Sequence, residues 1–318
     1  MRALLARWVQ FWDLREPADS LAVLRIGLAL VVLCDFAAVG RFGLVAPLWA
    51  PIEDGGIGPA AYAAPSCWFY EVFGASAFNA GLLFTLACVA TASLCIGWCT
   101  RSSALALLLA YSQLAQLSPA SDRGIDTLLR NVLIILVFAP SGATLSADAR
   151  LRTGRWISDA RVVAWPRYLI VVQLIVMYFS AGMQKQSQAW TSLGGYSALY
   201  LVLHQPHYAA FSLPHEWLVT FSPVLRISTF VSVWFERLSI FVPWLMWLRA
   251  TRDRPGRLRA VVNRTHLLEI WVALGITFHL GLALTLQLGI FPWGCIALYP
   301  AFFQPESIRR LPLLAAVG

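Results

Sequence analysis

The chain has 318 residues, 59% of them hydrophobic and only 13% charged, with a mean hydropathy of +0.67. A soluble globular domain carries about a quarter charged residues, so this composition excludes one. It predicts an all-α polytopic membrane protein, a single domain over 1–318 with about seven or eight spans. The net charge of +8 comes from arginines grouped in loops, where they set topology, and implies the lipid bilayer as partner rather than a nucleic acid.

Residues 1–20 mix Arg2, Arg7 and Arg15 with Trp8, Phe11 and Trp12, which suits an amphipathic helix lying on the membrane surface. No small-residue cleavage site follows the first apolar run, so an uncleaved first span is expected rather than a signal peptide. That span is predicted over residues 21–40, with Asp19 or Ser20 as its N-cap. A Pro- and Gly-rich loop with Glu53, Asp54 and Glu71 follows over 41–77. Further spans are predicted at 78–98, 103–117 and 127–138, with a polar loop at 118–126. After an arginine-rich loop at 141–167 come a fifth span at 168–184, a sixth at 227–248 and a seventh at 267–290. The 185–226 region between the fifth and sixth carries His204, His207, His215 and Trp217, with an interfacial helix expected at 196–203. Phe291-Pro292-Trp293 breaks the last run, and a shorter apolar segment reaches Phe303.

Arginine placement orients these spans. With the N-terminus inside, Arg101, the arginines of 141–167 and those of 249–266 are all cytoplasmic. The loops at 41–77, 118–126 and 185–226 then share the extracytoplasmic face. The six cysteines show no metal-ligand spacing, and no metal is expected.

One residue departs from the arginine habit. Lys185, just past the fifth span, is the only lysine in the chain. A lysine can lose its proton when desolvated and act as an amine base, whereas arginine stays charged. Two readings stay open: a base, or a lone lysine snorkelling to the headgroups. Met183 and Trp190 are expected to desolvate the amine, leaving Lys185 largely buried with a depressed pKa, unless a carboxylate such as Asp126 lies in contact. His279 stands in the middle of an apolar span. It is either a neutral histidine hydrogen-bonded to a neighbouring helix or part of a site. Arg25, Asp35, Glu236, Arg237 and Glu269 are expected to pair structurally, for example Arg25 with Glu236. Asp126 suits a helix cap or a place near Lys185. His204 and His207 read as surface histidines, because Pro206 argues against a helix that would align them. Trp190, Tyr196 and Trp217 read as interfacial aromatics.

The segment Tyr178-Phe179-Ser180-Ala181-Gly182-Met183-Gln184-Lys185, followed by Trp190 and Gly195-Tyr196-Ser197, resembles the vitamin K-dependent gamma-carboxylase superfamily around its catalytic-base lysine. Its bacterial members are called horizontally transferred transmembrane domain proteins. Thr277-Phe278-His279, Leu288 to Trp293, Pro300 to Phe303, Trp234-Phe235-Glu236 with Pro243, Leu145 to Asp148, and Pro17 to Leu33 are similar to that family in the same order. The resemblance implies a membrane enzyme at the extracytoplasmic face. Lys185 would be its base, and vitamin K hydroquinone or another quinol its co-substrate. Asp126, Tyr178, Trp190, Tyr196 and His279 would bind substrate. It also implies rivals: a non-enzymatic maturation or export partner for a separate secreted peptide, or a membrane partner of a redox chain. The large lumenal part of the carboxylases is expected to be missing, and Asp126 stands where they carry a histidine.

Overall fold

The computed structural model describes residue 9, residues 13–58 and residues 67–310. The expected interfacial helix over 1–20 falls mostly outside these residues. Its described end is a short strand instead, β1 (Arg15–Pro17), paired antiparallel with β2 (Arg161–Val163). The helices are α1 (Asp19–Arg41), α2 (Val45–Trp49), α3 (Trp68–Phe73), α4 (Ala77–Ile96), α5 (Thr100–Leu117), α6 (Gly124–Phe138), α7 (Ala147–Thr153) and α8 (Trp165–Gln184). They continue with α9 (Ala198–Leu203), α10 (His215–Thr220), α11 (Ser222–Leu238), α12 (Val242–Ala250), α13 (Arg257–Arg264), α14 (Leu267–Thr285), α15 (Phe291–Leu298) and α16 (Pro305–Arg309).

Five stretches among the described residues are long and apolar enough to cross a bilayer: α1, α4, α8, Ser222–Ala250 and α14. They match the expected first, second, fifth, sixth and seventh spans. Such helices are apolar on every side, because one face packs on neighbours and the other meets lipid. In α4, Leu83, Ala87 and Leu94 are buried while Phe78, Leu86 and Val89 are exposed.

The chain folds as two compact units. The first comprises the described residues of Met1–Ile170 and Phe303–Gly318, the second Val171–Phe302. In the first, α4 packs on α1 and α5, and α5 on α6. Leu24, Leu28 and Val32 of α1, Leu107 and Leu114 of α5, and Leu129 and Val132 of α6 are fully or almost fully buried. Ser76 caps α4, its hydroxyl accepting from Asn79 N–H at 3.1 Å. Gly97, at φ +72°, ends α4 in the left-handed conformation that glycine adopts without strain. A Cβ there would lie 2.5 Å from Arg25 Nη1.

That contact corrects the expected Arg25–Glu236 pair. Arg25 is fully buried in the first unit and donates to the carbonyls of Ser141 at 3.1 Å and Leu145 at 2.6 Å. Glu236 has its own partner in the second unit, described below. A polar group buried among apolar helices must be satisfied locally, and backbone carbonyls of the loop that follows α6 serve as well as a carboxylate. Asp19 is not the cap of α1. It sits inside the first turn, buried, and accepts from Arg309 Nε at 3.2 Å. Arg309 also pairs with Asp159. Glu16 and Arg167 form a buried two-pronged pair, both bonds 2.7 Å, tying β1 to the start of α8.

In the second unit α11 packs on α9 and α14, and α14 on α12 and α15. Two expected spans are shaped differently. The sixth is divided into α11 and α12 by a 3-10 turn, Ser239–Phe241, after which Pro243 occupies the first turn of α12. Proline fits there because its missing N–H would have no helical partner. The seventh ends at Thr285 rather than at 290, because the chain turns to pair with 208–210: Ala210 N–H donates to Thr285 O and Gln287 N–H to Tyr208 O.

Candidate functional site

The site around Lys185 starts from a glycine. Gly182 is buried near the end of α8, and a Cβ on it would stand 2.9 Å from both the Arg237 nitrogen and the Glu236 Cβ. Real Cβ contacts are not that short, so α8 and α11 approach here only because residue 182 has no side chain. The approach delivers two consecutive residues of α11 to the end of α8. Arg237 donates to Gly182 O at 3.0 Å and to Lys185 O at 3.1 Å. Those are carbonyls that a helix terminus leaves free, and a cation is favoured at that end of the helix dipole. Glu236 receives the Lys185 ammonium in direct contact. The two side chains are 18% and 6% exposed.

On its other side the Lys185 Nζ stands 4.9 Å from the centre of the Trp190 ring. Two 3-10 turns, Gln188–Trp190 and Ser192–Gly194, hold that ring in place. The chain folds back tightly between them. A Cβ on Gly194 would be 2.4 Å from Gln188 O, and Tyr196 N–H donates to Thr191 O at 3.0 Å. Tyr196 itself is half-buried, with its ring edge-on to Phe230 of α11 at 5.1 Å.

These facts correct the expected surroundings of the amine. The Lys185 side chain is largely buried, as expected, whereas Met183 is 46% exposed. Trp190 is a neighbour, as expected. The carboxylate in contact is Glu236.

A second centre lies on the same helix pair. Tyr178 stands seven residues before Lys185, about 10 Å along the helix by its rise, and Phe235 beside Glu236 packs on it with ring centres 5.3 Å apart. The Tyr178 hydroxyl is 2.6 Å from His279 Nε2 and 3.1 Å from the Tyr299 hydroxyl, and all three residues are buried. His279 thus hydrogen-bonds a neighbouring helix. Its Nδ1 has no partner. A proton on Nε2 leaves only a lone pair unsatisfied, whereas a proton on Nδ1 would leave a buried N–H without an acceptor, which is rarer and costlier. Gly275 makes room for this centre, since a Cβ there would overlap the Tyr299 hydroxyl at 2.0 Å. Trp271, stacked on Phe235 and Tyr299, closes it.

Asp126 belongs to the first unit. It opens α6, accepting from Arg123 N–H at 2.8 Å, and receives the Arg123 guanidinium and the Tyr111 hydroxyl. Arg123 also spans to Asp35. Burial works against the charge of Arg123, but its hydrogen bonds to Asp126 and Asp35 outweigh that and raise its pKa. The network lines a cavity of about 150 Å³ with Phe36, Trp49 and Leu114. His204 and His215 are exposed and face each other at 3.2 Å, while His207 is exposed.

The sequence alone did not reveal Glu236, Arg237 or Tyr299 as neighbours of the candidate residues. Glu236 carried a signal, being the one carboxylate inside the predicted 227–248 span. A buried carboxylate needs a cation, and Lys185 stands at a span end.

No solved structure matches this chain. A family model described as the HTTM domain matches residues 15–306, nearly its whole length. With its apolar spanning helices, the chain is an integral membrane protein that belongs to the HTTM-domain family.

Proposed function

We propose that this HTTM protein is a gamma-carboxylase-like membrane enzyme. It acts on a lipid-soluble quinol, or through one on a peptide, with Lys185 as the proton-accepting group at the extracytoplasmic face. The observation that carries this reading is the grip on Lys185. Two successive residues, Glu236 and Arg237, hold its side chain and its backbone, and the side chain keeps 18% of its surface open. A lysine that only snorkelled to headgroups would need neither grip. Holding a reacting group in one geometry is what proton transfer requires.

The orientation follows from arginine placement, with the N-terminus and the loops 141–167 and 249–266 cytoplasmic. Arg309 bonds Asp19 and Asp159, which supports an even number of crossings between α1 and Arg309. Eight crossings satisfy this if α5, α6 and the Leu286–Phe302 segment cross beside the five longer stretches.

The ion pair itself favours a second reading. A lysine held against a carboxylate also suits a non-enzymatic membrane partner that matures or exports a secreted peptide. Incubating the purified protein with vitamin K hydroquinone and oxygen separates the two. The enzymatic reading expects quinone epoxide from the wild type and none from Lys185→Ala. Absence of epoxide from the wild type, together with normal cellular function of Lys185→Ala, leaves the partner reading.

A further inference from the structure

We infer that Glu236 is a working member of this site: it receives the proton of Lys185, so that the two side chains act as one proton-exchanging pair. The inference deepens the base reading above and rests on it. Four observations lead to it. Glu236 contacts the amine directly and is almost wholly buried, with 6% of its side chain exposed. It is placed by a close helix approach that only a glycine at 182 permits. Its chain neighbour Arg237 anchors the backbone of the same lysine, so the side chain and main chain of Lys185 are fixed by adjacent residues. Finally, the Lys185 side chain is the more exposed of the two and Glu236 the enclosed one.

The electrostatics require such a partner. The charged and titratable groups that hydrogen-bond Lys185 from α11 are Glu236, at the side chain, and Arg237, at the backbone. The 3-10 turn after α8 adds only the Trp190 ring, and the nearest titratable group within α8 is Tyr178, two turns back. A protonated amine cannot accept a proton, so base chemistry at Lys185 needs a group in contact that first takes the amine's own. The stated partner resolves this. The N–H proton moves from Lys185 Nζ to Glu236 Oε2, leaving a neutral amine and a neutral carboxylic acid. The amine takes the substrate hydroxyl proton and regains its charge, now opposite an oxyanion. The carboxylic acid then releases its proton to water through the open edge of the site, restoring the carboxylate. One proton leaves the substrate and one enters water, and no oxidant is consumed.

Because the chain holds a single lysine, its amine can be followed by itself. The experiment is competitive acetylation of Lys185 with trace acetic anhydride across pH 6–11, on the full chain in lipid nanodiscs, read by mass spectrometry. The N-terminal amine of the same molecule serves as internal standard. Removing the carboxylate charge with Glu236→Gln is expected to raise the labelling of Lys185 at pH 8 at least tenfold, shifting its pH profile down by one unit or more. Glu236→Asp, which keeps the charge on a shorter arm, is expected to fall between the two. A profile in Glu236→Gln that coincides with wild type overturns the inference. If Glu236→Gln does not fold, the comparison rests on Glu236→Asp, where an unchanged profile has the same consequence. Turnover separates this inference from the base reading. Epoxide formation lost in Lys185→Ala but retained in Glu236→Gln removes Glu236 from the proton path and leaves Lys185 as base.

Discussion

Gly182 would place a Cβ 2.9 Å from the Arg237 nitrogen, a backbone atom that cannot swing aside. Gly182→Ala must therefore push α8 and α11 apart at the point where Glu236 meets Lys185. Overpacking of this kind costs about 1–3 kcal/mol. The expected outcome is a lowered midpoint of thermal unfolding together with faster acetylation of Lys185, whereas an alanine variant with both properties unchanged contradicts the close approach. At the buried centre, Tyr178→Phe removes the hydroxyl that joins His279 to Tyr299 and leaves His279 with both ring nitrogens unsatisfied. A loss of about 1–3 kcal/mol is expected, measured as the difference in unfolding free energy from wild type. These residues were not equally legible beforehand. His279 stood out because an imidazole inside an apolar run has to turn toward the bundle. Tyr299 did not, because a tyrosine near the end of an apolar segment reads as an interface aromatic. The Lys185–Glu236 contact joins residues 51 positions apart, and it depends on a helix approach that Gly182 permits but does not announce.

The turn between α4 and α5 is held by α7. Asp148 accepts from Cys99 N–H at 2.8 Å, from Thr100 N–H at 2.9 Å and from the Thr100 hydroxyl at 2.5 Å. Burial opposes its ionisation, but these hydrogen bonds and the nearby Arg25 outweigh that and lower its pKa. A carboxylate with a depressed folded pKa adds stability above its unfolded pKa of about 3.9, and that stability disappears as pH falls through the folded value. Asp148→Asn is therefore expected to cost about 1–2 kcal/mol at pH 7, the range for losing a helix cap. Unfolding measured at pH 7 and pH 3 should show the gap between variant and wild type narrowing at the lower pH. A gap that stays constant removes the charge from the explanation. Element boundaries were readable where apolar runs end in caps or glycine, as at Ser76 and Gly97. They were misread where a helix stops for a distant partner. The bond from Ala210 N–H to Thr285 O ends α14, and nothing local to Thr285 signals it. The hinge at Ser239–Phe241 was hidden for a different reason, since its residues are as apolar as the helices beside it.

For the whole molecule, the proposed orientation rests on arginine placement, and the bond from Arg309 to Asp19 supports an even number of crossings. In a background lacking the exposed Cys34 and Cys99, Tyr200→Cys is expected to react with an impermeant maleimide added outside the cell, and Pro255→Cys only after permeabilisation. Reaction at 255 but not at 200 reverses the orientation and moves Lys185 to the cytoplasmic face. Fold class and family were legible because the apolar periodicity and the order of short motifs extend over most of the chain. The chemistry was less so, because it depends on which carboxylate touches the single amine. The measurement that bears most directly on the proposed function replaces Lys185 with arginine and follows epoxide formation from vitamin K hydroquinone by the purified protein. Arginine keeps the charge opposite Glu236 and over Trp190 but has no proton it can give up. The proposed function predicts a folded variant with epoxide formation reduced at least a hundredfold, within the range that general-base catalysis contributes; epoxide formation at the wild-type rate in Lys185→Arg would contradict it.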